Sequence, residues 1–92
     1  MLPKLTVSII TYNQERFIGE LLTSVTSQEC NFEWEILISD DASSDSTPSV
    51  LSDFASKFPD LISLRLRSRR VGMKTNLLEN LARSKGEFIA LC

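Results

Sequence analysis

Two adjacent acids, Asp40 and Asp41, are the residues of this 92-residue sequence best placed to do chemistry. They follow a β-branched and apolar stretch, residues 34–39, which predicts a buried strand, and they begin a polar loop that runs to Thr47. Carboxylates at the end of a buried strand are costly unless they meet hydrogen-bond donors, cations or water. Such a carboxylate can accept an N–H from a nucleobase or pair with a metal. The alternative is a helix-capping loop, because Asp and Ser are favoured in turns.

A second polar loop has the same position after an earlier strand. The stretch Leu5–Thr11 is mostly β-branched and apolar, which predicts a strand buried on both faces, and Tyr12 and Asn13 follow it. Asn13 is a candidate cap for the next helix. In parallel sheets, ligands lie outside the carboxyl ends of the strands. We therefore expect both polar loops to share one edge of the sheet.

The elements that must position these loops alternate along the whole chain. Apolar residues recur at helical spacing after each of the first three predicted strands, and three aromatic residues on these stripes are predicted to be core: Phe17, Phe54 and Phe58. Thr47 is a candidate cap of the second helix, and Gly86 is a candidate C-cap of the third. The order βαβαβαβ predicts an α/β fold with a doubly wound, mostly parallel sheet and helices on both faces.

The third and fourth strands are expected at the two edges of this sheet. Residues 61–66 alternate between apolar and polar side chains, which predicts a half-exposed strand. The basic run that begins there is interpreted mainly as charge that protects an edge, with phosphate or acidic-partner binding as the alternative: Arg65, Arg67, Arg69 and Arg70. Residues 87–92 predict a fourth strand.

Composition excludes several classes of function. The net charge of −2 gives no attraction to nucleic acid, so no nucleic-acid partner is expected. The sequence has no histidine and only two isolated cysteines, which excludes a Cys/His zinc site and a serine triad. Glycine-rich fingerprints for dinucleotides or a P-loop are absent. No apolar run approaches the roughly 20 residues of a membrane span, and we expect a cytoplasmic protein, with a location at the membrane face left open.

Three blocks of the sequence together resemble family 2 glycosyltransferases. They are Val7-Ser8-Ile9-Ile10-Thr11-Tyr12-Asn13, the stretch from Glu35 through Asp40-Asp41-Ala42-Ser43-Ser44-Asp45 to Thr47, and Lys85-Gly86-Glu87-Phe88-Ile89-Ala90-Leu91. The blocks follow the family's order at comparable spacing, and the resemblance covers essentially the whole chain. It implies the Rossmann-like GT-A fold and a nucleotide-diphospho-sugar donor, with uridine as the family's usual nucleoside.

The resemblance also implies roles for individual residues. Asp41 resembles the carboxylate that accepts the uracil N–H, and Asp40 is expected to brace the loop. Thr11, Tyr12 and Asn13 resemble the loop that lines the nucleoside pocket. Lys74 lies where the family often has a basic residue near the donor, so it is a candidate contact of the diphosphate, with a solvated lysine as the alternative.

The sequence departs from the family's pattern at two positions and stops before one motif. Ile10 stands where proline is frequent, and Ala42 stands where glycine is frequent. In the family an acidic motif that binds a divalent cation follows a strand like Phe88–Leu91, and the catalytic base comes later. We therefore expect residues 1–92 to be a single N-terminal part of a GT-A domain, inactive alone, with a Mn or Mg ion needed by the longer enzyme but no ligand set here.

The function expected from the resemblance is sugar transfer from a UDP-sugar to a glycan or lipid-linked acceptor, in bacterial polysaccharide or cell-surface glycan synthesis. One alternative is a non-catalytic module that binds nucleotide or assembles with a partner. A phosphotransfer receiver domain is disfavoured, because it should carry its acidic pair after the first strand. The apolar edge Phe88–Leu91 lacks protecting charges, which predicts pairing with a second copy of the chain.

Overall fold

The computed structural model describes residues 2–92. Four strands alternate with three helices in chain order: β1 (Leu5–Thr11), α1 (Ile18–Thr26), β2 (Trp34–Asp40), α2 (Thr47–Lys57), β3 (Ile62–Leu66), α3 (Met73–Arg83) and β4 (Phe88–Leu91). The strands are β-branched or apolar stretches, and the helices carry apolar residues at helical spacing, so both periodicities are those that the sequence predicts.

All of the strands described form one parallel sheet in the order β3-β2-β1-β4. The order reverses beside β1, because β2 pairs on one side of it and β4 on the other. In register, Thr11 at the end of β1 lies opposite Asp40 at the end of β2. The predicted α/β fold, with β3 and β4 at opposite edges, is confirmed.

One face of the sheet carries the hydrophobic core. Alternate residues of β1, β2 and β3 point to this face and pack against α1 and α2, and the fully buried members are Val7, Ile9, Ile18, Leu22, Ile36, Ile38, Leu51 and Ile62. Because burial of apolar surface stabilises a fold by roughly 25 cal/mol per Å², this layer supplies most of the favourable energy of folding.

The opposite face is mostly polar, although it also carries the buried Leu37, and α3 covers it. Two asparagines of α3 are buried, each 1% exposed. Asn80 donates hydrogen bonds to Ser8 Oγ at 2.7 Å and to the Leu37 carbonyl at 3.1 Å, and Asn76 donates to the Ser39 carbonyl at 2.9 Å. Burial of an amide is costly unless it finds such partners, and within residues 2–92 the Asn80 side-chain oxygen finds none. Hydrogen bonds therefore hold α3 to the sheet in place of an apolar stripe.

Three expectations about helix ends are wrong. Asn13 does not cap α1, which begins at Ile18. Thr47 is the first residue of α2 itself, and its hydroxyl accepts the backbone N–H of Gln14 at 2.8 Å. The cap position after α3 is held by Ser84 and not by Gly86. Each residue is instead used in a contact between different segments, which local sequence preferences do not reveal.

Gly86 has a packing role. A Cβ atom at this position would lie 2.5 Å from the backbone nitrogen of Thr6 and 2.8 Å from the carbonyl carbon of Leu5. The Gly86 N–H also donates to Thr6 Oγ1 at 2.8 Å. Glycine is needed here because the chain approaches β1 too closely for any side chain.

Phe17 is also not a core residue. It is 66% exposed, whereas Phe54 and Phe58 pack against the buried cluster as predicted. Phe17 precedes the first residue of α1, so the helical stripe that predicted its burial begins one residue later.

Candidate functional site

A cavity of about 260 Å³ opens at the carboxyl ends of β1 and β2. Three segments line it: the end of β1 and the loop after it, the loop after β2, and the chain from the β3–α3 loop into α3. The residues that face it are Ile10, Thr11, Tyr12, Gln14, Asp41, Arg70, Met73 and Asn76. The two polar loops thus meet at one edge of the sheet, where doubly wound folds bind ligands.

Asp41 is buried in the wall of this cavity, with 2% of its surface exposed. Its Oδ1 accepts the backbone N–H of Val71 at 2.8 Å, and its Oδ2 accepts the N–H of Gly72 at 3.1 Å and Arg70 Nε at 3.4 Å. Burial raises the pKa of this carboxyl, but the donors from Val71, Gly72 and Arg70 together outweigh burial, so the pKa lies below its usual value. Asp41 is therefore a fixed anion at neutral pH.

Asp40 braces the loop between β2 and α2. The hydroxyl of Thr11 donates to Asp40 Oδ1 at 2.6 Å. Ser43 donates through its hydroxyl to Oδ1 at 2.5 Å and through its backbone N–H to Oδ2 at 2.9 Å. Asp40 is 1% exposed and does not line the cavity. The neighbouring carboxylates thus have different surroundings, and only Asp41 faces the cavity.

Hydrogen bonds join the loop after β1 to the loop after β2. Asn13 accepts the N–H of Ser44 at 2.9 Å through its side chain and donates its own N–H to Ser43 Oγ at 2.9 Å. Asn13 has a φ of 52°, a left-handed conformation that asparagine tolerates better than most residues. These contacts fix the two loops relative to each other and hold the cavity wall that carries Tyr12.

Arg70 and Tyr12 are stacked at the mouth of the cavity. The guanidinium carbon of Arg70 lies 3.7 Å from the centroid of the Tyr12 ring. The same side chain forms the 3.4 Å contact with Asp41, and 54% of it is exposed. The cavity thus combines an aromatic face, a buried anion and a half-exposed cation, which suits a flat ligand with an N–H edge.

The structure brings together part of the residue set predicted from the sequence. Thr11, Tyr12 and Asp41 line the cavity. Asp40 and Asn13 support it through the loop contacts described above. Lys74 is exposed on the first turn of α3 and does not line the cavity, so its contact with a diphosphate stays a prediction.

Sequence reasoning missed four cavity residues: Ile10, Gln14, Arg70 and Met73. Arg70 was assigned to the charged edge strand, but β3 ends at Leu66 and Arg70 lies in the loop that follows. That assignment is wrong for Arg70, whereas Arg65 lies on the edge strand as expected. Asn76 had a signal in the sequence, because residues 72–76 lie where the family often has an asparagine near the donor, and Asn76 lines the cavity.

A divalent cation has no ligand set here. Among residues 2–92, no group of three or more Asp, Glu, Cys or His side chains is arranged to hold a metal ion. The carboxylates of Asp40 and Asp41 already accept hydrogen bonds from the protein, as described above. Asp40 and Asp41 therefore do not form a site for the divalent cation that the resemblance implies for the longer enzyme.

The profile of the family described as "Glycosyl transferase family 2" matches residues 6–92, so the chain belongs to this family. Abequosyltransferase RfbV of Salmonella typhimurium is 33% identical over 81 residues, which are 87% of this chain and 24% of that protein. Family membership agrees with the three motif blocks and with the cavity at the strand ends.

Solved glycosyltransferases share the fold. TarS 1–349 of S. aureus in complex with UDP superposes with a TM-score of 0.83 and 28% identity, covering 97% of this chain and 26% of that one. The mannosyltransferase PcManGT of Pyrobaculum calidifontis, solved with GDP-Man and Mn2+, gives a TM-score of 0.80 at 30% identity, with 97% and 26% covered. The parallel sheet with its helices is thus the Rossmann-like arrangement of the GT-A fold.

The chain spans about a quarter of the length of these relatives. Within residues 2–92, no helix is both long and apolar enough to cross a membrane.

Proposed function

We propose that this chain binds the nucleotide of a nucleotide-diphospho-sugar and that the longer protein transfers the sugar to an acceptor. The single observation that carries the proposal is the placement of Tyr12 and Asp41 in one cavity at the carboxyl ends of β1 and β2. Tyr12 offers a flat apolar face, and Asp41 offers a carboxylate oxygen beside it. A nucleobase has both a flat face and an edge with N–H groups.

The charge state of Asp41 favours a base with an N–H at its edge. An ionised carboxylate has about four acceptor positions, and backbone N–H groups hold two of them. Because its pKa is lowered, the carboxyl carries no proton to donate at neutral pH. Uracil and guanine both present a ring N–H, and the solved relative TarS holds UDP. We therefore propose a uridine nucleotide as the donor's carrier.

Two relatives make the choice of base a testable point. TarS was solved with UDP, whereas PcManGT was solved with GDP-Man. Titration of UDP and GDP into the purified chain by calorimetry compares the two directly, and we expect the stronger binding for UDP.

The role of Asp41 is tested in the same titration with Asp41→Asn. The asparagine keeps the shape but loses the charge and one acceptor, so UDP affinity should fall about 5- to 150-fold, equivalent to roughly 1–3 kcal/mol. Asp60→Asn removes the same charge from an exposed position and should bind UDP like the wild type. Equal affinities for the wild type and a folded Asp41→Asn would contradict the proposal.

We further propose that the β4 edge mediates association between copies of this chain. Phe88 is 58% exposed, Ile89 43% and Leu91 60%, and β4 pairs only with β1 in the sheet described. An exposed apolar edge strand is a template for pairing with another strand. Sedimentation at micromolar concentration should show a dimer, and Ile89→Lys should shift it to a monomer. A wild-type monomer would contradict this part of the proposal.

A further inference from the structure

The guanidinium of Arg70 occupies the two groups that the proposed function assigns to a nucleobase. Its carbon lies 3.7 Å from the centroid of the Tyr12 ring, and its Nε lies 3.4 Å from Asp41 Oδ2. One side chain therefore covers the aromatic face and contacts the buried anion at the same time.

The three donors of Asp41 differ in how easily they can leave. Val71 and Gly72 donate through backbone N–H groups at 2.8 and 3.1 Å, and Gly72 has a φ of 92°, a conformation that glycine adopts without strain. Moving them requires moving the loop that leads into α3. Arg70 forms the longest of these contacts, and its side chain is 54% exposed. Rotation of that side chain into solvent leaves the backbone contacts of Asp41 in place.

A guanidinium and a nucleobase present similar groups to this site. The guanidinium is planar, stacks on aromatic rings and carries N–H donors at its edge. A nucleobase also stacks through its face and donates through ring N–H at its edge. The two cannot lie on the same face of Tyr12 together.

We propose that Arg70 is a built-in competitor for the nucleobase position. Its guanidinium covers Tyr12 and contacts Asp41, and it leaves this position when a base binds. The proposal rests on the proposed function, since it takes the cavity to be the site of the base. Arg70 thereby lowers the affinity for nucleosides, although it is itself one of the residues that face the cavity.

The size of the effect follows from the contacts that must be broken. The observed affinity of a site is lowered by the fraction of molecules in which the site is open. Exposed cation–π contacts and exposed ion pairs are each modest, so together they should lower affinity about 3- to 10-fold. Removing the guanidinium should therefore raise the affinity by the same factor.

The test compares Arg70→Met with the wild type, using uridine as the ligand. Methionine keeps much of the stem without the charge, and uridine has no phosphate that an arginine could bind. Arg69→Met is the control, because Arg69 is exposed and makes no hydrogen bond or salt bridge within residues 2–92. We expect Arg70→Met to bind uridine about 3- to 10-fold more tightly and Arg69→Met to match the wild type.

A ligand-free measurement tests the stacked contact separately. The ring resonances of Tyr12, the only tyrosine in the sequence, should shift in Arg70→Met and not in Arg69→Met. Unchanged Tyr12 resonances in Arg70→Met would overturn the proposal, as would equal or weaker binding of uridine.

The outcomes separate this inference from the function on which it rests. Suppose that the wild type binds UDP, that Asp41→Asn loses this binding, and that Arg70→Met binds uridine no more tightly than the wild type. Only the proposal that Arg70 competes with the nucleobase is then overturned. If neither the wild type nor Arg70→Met binds uridine or UDP, the proposed function fails and the competitor fails with it.

Discussion

The backbone N–H of Val71 donates a 2.8 Å hydrogen bond to Oδ1 of Asp41, joining residues 30 positions apart. The contact connects the end of β2 to the chain that leads into α3, and so it links opposite walls of the cavity. Gly72 adds a second backbone donor at 3.1 Å. Asp41 is therefore a structural anchor as well as a candidate ligand contact, and its ionisation affects both properties.

Stability should depend on pH through Asp41. Its pKa is lower in the folded chain than the ordinary value of 3.8, so below about that pH the unfolded chain binds more protons. The stabilising contribution of Asp41 is therefore fully present above pH 3.8 and is lost as the pH falls through the lowered pKa. Urea unfolding between pH 2.5 and 6 should show a smaller loss of stability on acidification for Asp41→Asn than for the wild type.

The charge-matched control for this experiment is Asp60→Asn, an exposed acid outside the cavity. Its unfolding free energy should fall with acidification as steeply as that of the wild type. An Asp41→Asn profile parallel to that of the wild type would show that the contacts with Val71 and Gly72 do not stabilise the anion.

Replacing Gly86 or Gly19 with alanine should have opposite effects on the stability of the fold. At Gly86 the new Cβ would lie 2.5 Å from the Thr6 nitrogen, a backbone atom that cannot move aside cheaply, so Gly86→Ala should destabilise the chain by about 1–3 kcal/mol. At Gly19, inside α1, the new Cβ meets Val50 Cγ1 at an ordinary 3.9 Å. Gly19→Ala should stabilise by about 0.5–1 kcal/mol. Urea unfolding measures both, and a harmless Gly86→Ala would contradict the close approach to β1.

Replacing Ala42 with glycine should stabilise the protein. Ala42 has a φ of 57°, a left-handed conformation that costs a residue with a Cβ roughly 1–2 kcal/mol. Glycine relieves this strain but adds about 0.4–1 kcal/mol of unfolded-state entropy, so a net gain of up to about 1 kcal/mol is expected. Ala55→Gly, inside α2, should instead destabilise by about 1 kcal/mol. Thermal unfolding compares the two, and a lower midpoint for Ala42→Gly would refute the strain.

The order of elements and the sheet could be predicted because periodicity carries that information. Strands buried on both faces are continuous apolar runs, and the helices between them repeat every three to four residues. The position of Asp41 at the end of β2 followed from the same pattern. The family's frequent glycine at the position of Ala42 also has a physical reason. Ala42 has a φ of 57°, a conformation in which glycine is favoured.

The packing of α3 could not be predicted in the same way. Its leucines suggested an apolar stripe, yet Leu78 is 54% exposed and the most deeply buried residues are Asn76 and Asn80. These amides face the sheet because Ser8 and Ser39 lie beneath them. Which helix covers which face of a sheet is a tertiary property, and the pattern within one helix does not contain it.

The place of Arg70 was hidden for a related reason. A run of arginines that begins on an alternating strand suggests edge protection, and the sequence does not show where the chain turns after the strand ends. Since β3 stops at Leu66, the next residues are free to turn over the cavity. Contacts between separate loops, such as that of Arg70 with Tyr12, depend on this turn and not on local preference.

The two buried amides of α3, Asn76 and Asn80, fix the position of the helix on the sheet. An apolar contact tolerates rotation or sliding of a helix, whereas hydrogen bonds from Asn80 to Ser8 and Leu37 are satisfied at one azimuth and one axial position only. Gly72 immediately precedes α3, so the setting of the helix determines the direction of the N–H that Asp41 accepts. Asn80 lies outside the cavity, yet we expect a substitution there to change the geometry of the candidate site by turning the helix that leads from it.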